Sequence, residues 1–340
     1  MQRFKVGLDF DDVIAPFTEL CVGLCNIEHG TNYTIDQIDR WGVTGSKAIE
    51  DVSSYYGDER ILHMQRVSKE AIAFVHKLMD VADVYFITAV KPEFMGIRAM
   101  QIKTAFPDFP DSHIIMGSAK DLVKGLDMLL DDGPHNILDS EVDYPVLMRR
   151  PWNRHLSGVL SVNNYGEFLT LVEQIKSVTM GKVKDFTKPQ VFALVGPSGS
   201  RKHEFAKSLE RNAFGSVVET NSGLETECIT HCFYAGHEYR LAKNTVENHL
   251  RNGYNVIVVV DICGALALKR LYPTTIIFCR QSREAMIKET LKKEDVSIDN
   301  LTMRLLSMDQ ELRNERLADL SIRTDDIAQA GLKLLSFINA

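Results

Sequence analysis

The chain has 340 residues, 45% of them hydrophobic and 25% charged, with 39 basic against 46 acidic side chains and a formal net charge of −7. That length favours two domains of roughly 150–190 residues, each able to bury its own core. The acidic balance argues against a nucleic-acid partner, because such surfaces gain affinity by neutralising phosphates, and no apolar run approaches the ~18 residues of a membrane span.

The opening "MQRFKVGLDF" enters a strand at once, which leaves no room for a secretory leader. The cysteines Cys21, Cys25, Cys228, Cys232, Cys263 and Cys279 are scattered through a chain large enough not to need staples. Both features set the expectation of a reducing cytoplasm. Apolar runs at 4–10, 83–88, 113–116, 128–131 and 146–149 read as strands separated by helical stretches. This alternation is the signature of an α/β fold with a mostly parallel sheet. Residues 16–80 are too long for one crossover and read as a mainly helical cap over the carboxyl edge of the sheet. Within it Ser68 is the expected N-cap of "KEAIAFVHKLMDVA".

The stretch "VTMGKVKDFTKP" is polar, contains Gly and Pro, and has no period. It predicts a linker at 181–189 between domains at 1–180 and 190–340. Beyond it strands are expected at 190–195, 254–261 and 274–279, and helices from 202, over 283–293 and over 297–317. Cys228, His231 and Cys232 offer metal ligands at helical spacing, but no second Cys/His pair accompanies them. Small buried hydrophobes are the preferred reading there.

Chemistry concentrates in the first half. Asp9 and Asp11, one residue apart in "VGLDFDDVIAPF", follow an apolar strand and point to one side of an extended chain. Asp131 and Asp132 end the apolar run of "LLDDGPHN", Thr88 ends "VYFIT", and Lys120 lies in "GSAKDLV". Four segments thus deliver two acid pairs, a hydroxyl and a cation to strand ends, where ligands of open α/β sheets bind. The carboxylates have no obvious neutralising partners in the sequence and suit Mg²⁺, a hard cation often shared with a substrate phosphate. One acid can attack phosphorus while a neighbour moves the proton, with Thr88 and Lys120 stabilising the transferring group.

In order and context, "DFDDV", Thr88, Lys120 and "LLDD" resemble the four motifs of the haloacid dehalogenase superfamily of phosphatases over residues 1–180. The resemblance implies a Rossmann-like fold with a small helical cap. It also implies Asp9 as nucleophile, Asp11 as general acid/base, a metal held by Asp9, the Asp11 carbonyl and Asp131, and Asp132 as support. "NIEHGTNYTIDQIDRWGV", "LLDDGPHN" and "RRPWNRH" look most like the 5'(3')-deoxyribonucleotidases. By that likeness the substrate is a nucleoside monophosphate whose base rests against aromatics, with Phe17 and Trp41 in position to serve. Asp12 departs from a common glycine in the first motif, a change expected to matter little.

The second half carries "GPSGSRKHEF", set between a predicted strand and helix as a phosphate-binding P-loop requires. With "VIVVVDICGALALKRLYPTTIIFC" and "SIDNLTMRLLSMDQE" it resembles guanylate kinases over 190–340. Gly196, Ser198, Gly199 and Lys202 match the loop, implying ATP or GTP as ligand. The departures are several. Arg201 stands for a glycine and His203 for the metal-binding hydroxyl, and Val259 replaces an acid ahead of Asp261. The guanylate-recognition segment carries no arginine between Gly215 and Tyr239, and Arg304 matches a lid arginine or is a solvated helix charge. Kinase turnover is therefore not expected, which leaves nucleotide binding, regulation or a structural role such as a homodimer contact. A bifunctional phosphatase/kinase acting on nucleotides or polynucleotide ends is the alternative.

Overall fold

Val6, Leu8 and Phe10 are all fully buried, which sets the first strand at the middle of a sheet. The computed structural model describes residues 3–178, 185–220, 227–234, 237–292 and 298–339. It divides into two units, Met1–Arg154 with Leu160–Glu173, and His155–Val159 with Gln174–Ala340.

The first unit runs β1 (Lys5–Leu8), α1 (Thr18–His29), α2 (Lys47–Ser53), α3 (Glu59–Met64), α4 (Lys69–Val81), β2 (Asp83–Thr88), α5 (Met95–Ala105) and β3 (Ile114–Met116). It continues through β4 (Met128–Asp131), α6 (Pro134–Leu138), β5 (Tyr144–Met148), β6 (Leu160–Val162) and α7 (Tyr165–Val178), whose residues from Gln174 on count with the second unit. The sheet is parallel throughout in the order β3-β2-β1-β4-β5-β6. Strand order reverses between β1 and β4, so the connections leaving their carboxyl ends run in opposite directions and leave a crevice outside the strand ends.

As expected, the insertion after β1 is helical. In α4 the Ser68 hydroxyl accepts from the Ala71 amide, and Ala71, Phe74, Val75 and Leu78 bury one face. Cys21, Cys25, Ile49, Val52 and Ile61 form a separate core within the insertion, joined by Trp152.

The second unit contains β7 (Val191–Val195), α8 (Lys202–Arg211), β8 (Ser216–Val218), β9 (Cys228–Tyr234), β10 (His237–Ala242), α9 (Lys243–Arg251) and β11 (Val256–Val259). After them come α10 (Ile262–Leu271), β12 (Thr274–Arg280), α11 (Arg283–Leu291), α12 (Ile298–Leu306), α13 (Met308–Arg313), β13 (Leu320–Arg323) and α14 (Ile327–Ile338). Its parallel sheet has the order β13-β12-β7-β11-β8, with β9 and β10 paired separately as an antiparallel hairpin. Phe192, Leu194, Ile257, Ile277 and Leu334 centre its core.

Several expectations change. The short strands β6, β8 and β13, the β9–β10 pair and α14 carry too little periodic signal of their own to be expected from the sequence. The single helix expected over 297–317 is broken after Leu306 and again after Arg313. Cys228, His231 and Cys232 lie on strand β9, so they do not share a helical face. The side chains of His231 and Cys232 lie outside the described residues. Of the expected linker at 181–189, residues 181–184 also lie outside them. Phe186, by contrast, packs against the second core, its ring 5.6 Å from that of Phe337.

Candidate active site

β1 and β4 carry the nucleophile and metal candidates to adjacent strand ends, and the ladder extends one step past β1 through Asp9 N–H to Leu130 O at 2.9 Å. Asp9, Asp131 and Asp132 are all buried, and each offers a carboxylate oxygen within 4.8 Å of the others. Lys120 Nζ bridges two of them, 2.8 Å from Asp9 Oδ1 and 2.7 Å from Asp131 Oδ2. The carboxylates therefore do have a neutralising partner, which spacing in the sequence could not reveal.

One ammonium among three carboxylates leaves an excess of negative charge, and the pKa values record it. Burial, only partly offset by Lys120 and reinforced by Asp131 and Asp11, pushes Asp9 up to about 7. Burial with Asp12, Asp131 and Asp9 nearby raises Asp132 well above the ordinary carboxylate range. For Lys120, burial works to lower the ammonium, but Asp9 and Asp131 outweigh it and hold it above its usual value. An all-oxygen, over-charged cluster fits a hard divalent cation. Asp132, expected only to support the site, contributes its carboxylate to this cluster, while the Asp11 side chain is directed elsewhere.

Second contacts fix these groups. Asp131 accepts from the Gly133 amide at 2.8 Å and from Asn136 Nδ2 at 3.0 Å. A Cβ on Gly133 would stand 2.9 Å from that same Asn136 nitrogen, so a side chain there would push the Asn136 amide off Asp131. Asp132 Oδ2 accepts from Trp152 Nε1 at 2.9 Å. The Thr88 hydroxyl is fully buried with no hydrogen-bond partner among the described residues. Such an orphan costs about 1–3 kcal/mol and is explained by an anionic ligand that would accept from it.

Asp12 matters more than its sequence position suggested. Its φ of 54° is the left-handed conformation that favours glycine. The carboxylate recovers the cost by accepting from the amides of Phe17 and Thr18 at 2.8 and 3.0 Å and from Thr18 Oγ1 at 2.5 Å, tying the loop to α1.

Phe17, Tyr56 and Leu62 line a cavity of about 400 Å³ together with Asp11, Arg98 and Ser118. Trp41 is not among its lining residues. It is half exposed, with its ring 5.0 Å from that of His135. Of the two expected base-stacking aromatics, only Phe17 reaches the cavity beside Asp11.

With this geometry in place, relatives can be compared. The sequence profile of the family described as "5' nucleotidase, deoxy (Pyrimidine), cytosolic type C protein" matches residues 3–178. The chain belongs to this family. Its first unit is accordingly a phosphoric monoester hydrolase of the 5'-nucleotidase kind. The remainder is similar to guanylate kinases. The one from Protochlamydia amoebophila is 30% identical over 103 residues, which cover 30% of this chain and 52% of that one. One from Thermus thermophilus is 25% identical over 134 residues, 39% of this chain and 59% of that one. The match thus spans only about half to three-fifths of these relatives' length. Among solved structures, a haloacid dehalogenase-like hydrolase from Streptococcus pneumoniae aligns with 50% of this chain and 98% of its own at TM-score 0.35 and 12% identity. A guanylate kinase from Anaplasma phagocytophilum aligns with 45% of this chain and 86% of its own at TM-score 0.33 and 16% identity.

In the second unit Gly196, Ser198, Gly199 and Lys202 come together around a cavity of about 420 Å³, with Ser200, Tyr239, Asp261, Arg304 and Glu311 also in its wall. Arg201 adopts φ 54° and so keeps the turn that glycine would make. Its guanidinium is anchored on Glu204 at 2.6 Å and on the carbonyls of Thr324 and Asp325. The substitution thus strains the loop without reshaping it, by about 1–2 kcal/mol. The glycines have a packing role as well, since a Cβ on Gly196 would meet Cys279 O at 2.2 Å and one on Gly199 would meet Met286 O at 2.3 Å. Lys202 Nζ donates to the loop carbonyls of Gly196 and Pro197 at 2.8 and 3.1 Å, and burial lowers its pKa. Arg304 is buried, with Nη1 3.2 Å from Ser198 Oγ, and is not a solvated helix charge. Asp261, the acid that remains, caps α10 by accepting from the Gly264 amide.

Glu311 faces Lys202, Arg304 and Asp261, and burial pushes it up to about 7. Its unfolded value lies near 4.5, so across pH 4.5–7 the folded state binds more protons and stability falls as pH rises. Glu311→Gln should remove that slope, on the order of 3 kcal/mol. In urea unfolding followed by circular dichroism at pH 5 and pH 8, the variant's midpoints should differ less than those of the wild type. Equal differences would refute the assignment.

Proposed function

We propose that the first unit hydrolyses deoxynucleoside monophosphates through an aspartyl-phosphate on Asp9. The carrying observation is the pairing, at the sheet's switch point, of Asp9 and Asp131 through Lys120, with Asp11 on the loop after β1 and Thr88 at the end of the neighbouring strand β2. Among the described residues the contacts to Asp9 fall on Oδ1, from Phe10 N at 2.7 Å and Lys120 at 2.8 Å, which leaves Oδ2 to attack phosphorus.

As the bond from Asp9 to phosphorus forms, the ester P–O bond breaks and Asp11 gives its proton to the leaving oxygen. Asp11 then takes a proton from water as the water oxygen displaces Asp9, and inorganic phosphate leaves. Lys120 and Thr88 stabilise the phosphoryl oxygens. Asp9, Asp131 and Asp132, with the Asp11 carbonyl, would hold a Mg²⁺ ion, which would add to the neutralisation of phosphoryl charge. The cavity lined by Phe17, Tyr56 and Leu62 takes the base. A panel of nucleoside and deoxynucleoside 5'- and 3'-monophosphates with Mg²⁺ should release phosphate, and a 3'-phosphorylated oligonucleotide should release little. No release across the panel would end this reading, and preference for the oligonucleotide would favour repair of strand ends.

For the second unit we infer nucleotide binding without phosphoryl transfer. The Ser200 hydroxyl is fully buried, lines the cavity and has no hydrogen-bond partner among the described residues, and Lys202 stands at the same loop. His203 and Val259 supply no oxygen ligand for a metal. Calorimetry should detect ATP, GTP or GMP with similar affinity in the presence and absence of Mg²⁺, and Lys202→Ala should lose most of it. No heat with any of the three would leave a structural role.

A further inference from the structure

Arg98 is the largest fully buried side chain, and the phosphatase chemistry described above gives it no part. It sits on α5 in register with the buried Ile102 and Phe106, on a stripe that would ordinarily be apolar. Its Nη2 donates to both oxygens of Asp11, at 2.8 and 2.9 Å, and its guanidinium lies 4.3 Å from the Phe10 ring centroid. Nε and Nη1 are buried without a hydrogen-bond partner among the described residues. Gln65, almost fully buried after α3, donates to Asp11 Oδ1 at 2.7 Å. Gln65 Oε1 in turn lies 3.4 Å from Arg98 Nη2 and 3.3 Å from Gln101 Nε2.

Stability does not account for this arrangement. A buried guanidinium with two unsatisfied nitrogens is costly, and a buried ion pair is commonly no better than an apolar pair of the same volume. What the arrangement achieves is orientation. Asp11 lies on an irregular loop after β1 with its side chain partly open to the cavity, and no strand or helix fixes its rotamer. Arg98 from α5 and Gln65 from the cap clamp both of its oxygens from one side.

We propose that Arg98 is the positioning residue for Asp11, holding the carboxyl group where it meets first the leaving-group oxygen and then the attacking water. The proposal rests on the reading of Asp11 as the proton carrier. Both half-reactions use that position, but they need it unequally. A nucleoside alkoxide must be protonated as its P–O bond breaks, whereas p-nitrophenolate leaves without a proton. The second half-reaction needs Asp11 to accept a proton from water whatever the substrate was.

The test is the Arg98→Met variant, with folding checked by circular dichroism. Turnover of a deoxynucleoside monophosphate should fall about 10²-fold, the usual worth of a placed acid or base. With p-nitrophenyl phosphate, rapid mixing should show a burst of p-nitrophenol approaching one per enzyme and then slow release of phosphate, as the aspartyl-phosphate accumulates. The wild type should show no such burst. Arg98→Lys, which keeps the charge but not the reach of Nη2 or the planar guanidinium over Phe10, should show the same split with a smaller loss, and it carries the test if the methionine variant does not fold. Equal slowing of both substrates with no burst, or rates like those of the wild type, would overturn the proposal alone. A wild type that hydrolyses neither substrate would overturn the nucleotidase reading with it.

Discussion

Asp9→Asn should lower phosphate release by on the order of 10⁴–10⁶-fold, the loss expected when a covalent nucleophile is removed, while leaving the protein at least as stable as the wild type. The two halves of this expectation have one cause. Burial and the neighbouring acids push Asp9 up to about 7 from an unfolded value near 3.8. Above pH 4 the unfolded chain ionises this group readily and the folded protein does not, so the carboxylate works against folding, fully so above pH 7. The amide carries no charge to desolvate. Its Oδ1 can still accept from Phe10 N, and Lys120 keeps Asp131 at 2.7 Å. The amide oxygen, however, is too weak a nucleophile to attack a phosphomonoester. Initial rates at pH 8 beside thermal unfolding of both proteins in chelator check the expectation. A variant retaining more than about 1% of activity would remove Asp9 from the nucleophile's role, and a clearly lowered melting temperature would contradict the electrostatic account.

Much of this site could be read before the fold was known. Asp9 and Asp131 each follow an unbroken apolar run, the mark of a strand buried on both faces, and the acids that end such runs must meet at the carboxyl edge of a parallel sheet. Thr88 was legible for the same reason. The clamps were not. Arg98 reaches Asp11 across 87 positions and Gln65 across 54, and no local pattern pairs residues so distant. A signal existed for Arg98, namely an arginine four and eight residues ahead of Ile102 and Phe106 on one helical face. Asn136 and Trp152 lay inside motifs singled out in the sequence, "LLDDGPHN" and "RRPWNRH", yet their roles depend on a turn and a tertiary contact.

Conformation explains the misjudged residues. Asp12 and Arg201 both stand where glycine would be expected, and both have φ 54°. From the sequence Arg201 reads as a lost turn and Asp12 as a change of little consequence, and neither reading sees the side chain's own contacts. Here each side chain offsets the backbone strain with its own contacts, Asp12 on the α1 amides and Arg201 on Glu204 and two carbonyls. Trp41 lies outside the cavity lining for a different reason. An aromatic in the cap can face the cavity or the outer surface, and its spacing from Phe17 does not choose between them.

Removing divalent metal should cost hydrolysis on the order of 10³-fold or more, since a bound cation supplies several kcal/mol of charge stabilisation. Fully ionised, the three buried carboxylates exceed the single Lys120 ammonium by two negative charges, the deficit a divalent ion makes good. The same deficit predicts how pH acts. At pH 5.5 protons held by Asp9 and Asp132, both raised by burial, compete with the ion, whereas at pH 8 they have largely left Asp9. Mg²⁺ should therefore raise the melting temperature more at pH 8 than at pH 5.5. Asp132→Asn should shift the Mg²⁺ dependence of activity to higher concentration by about 10–100-fold. Its amide oxygen can still accept from Trp152 Nε1, so the fold around it is kept. Full activity in excess chelator would exclude the metal from the reaction, and equal stabilisation at the two pH values would mean that Mg²⁺ binds away from these carboxylates.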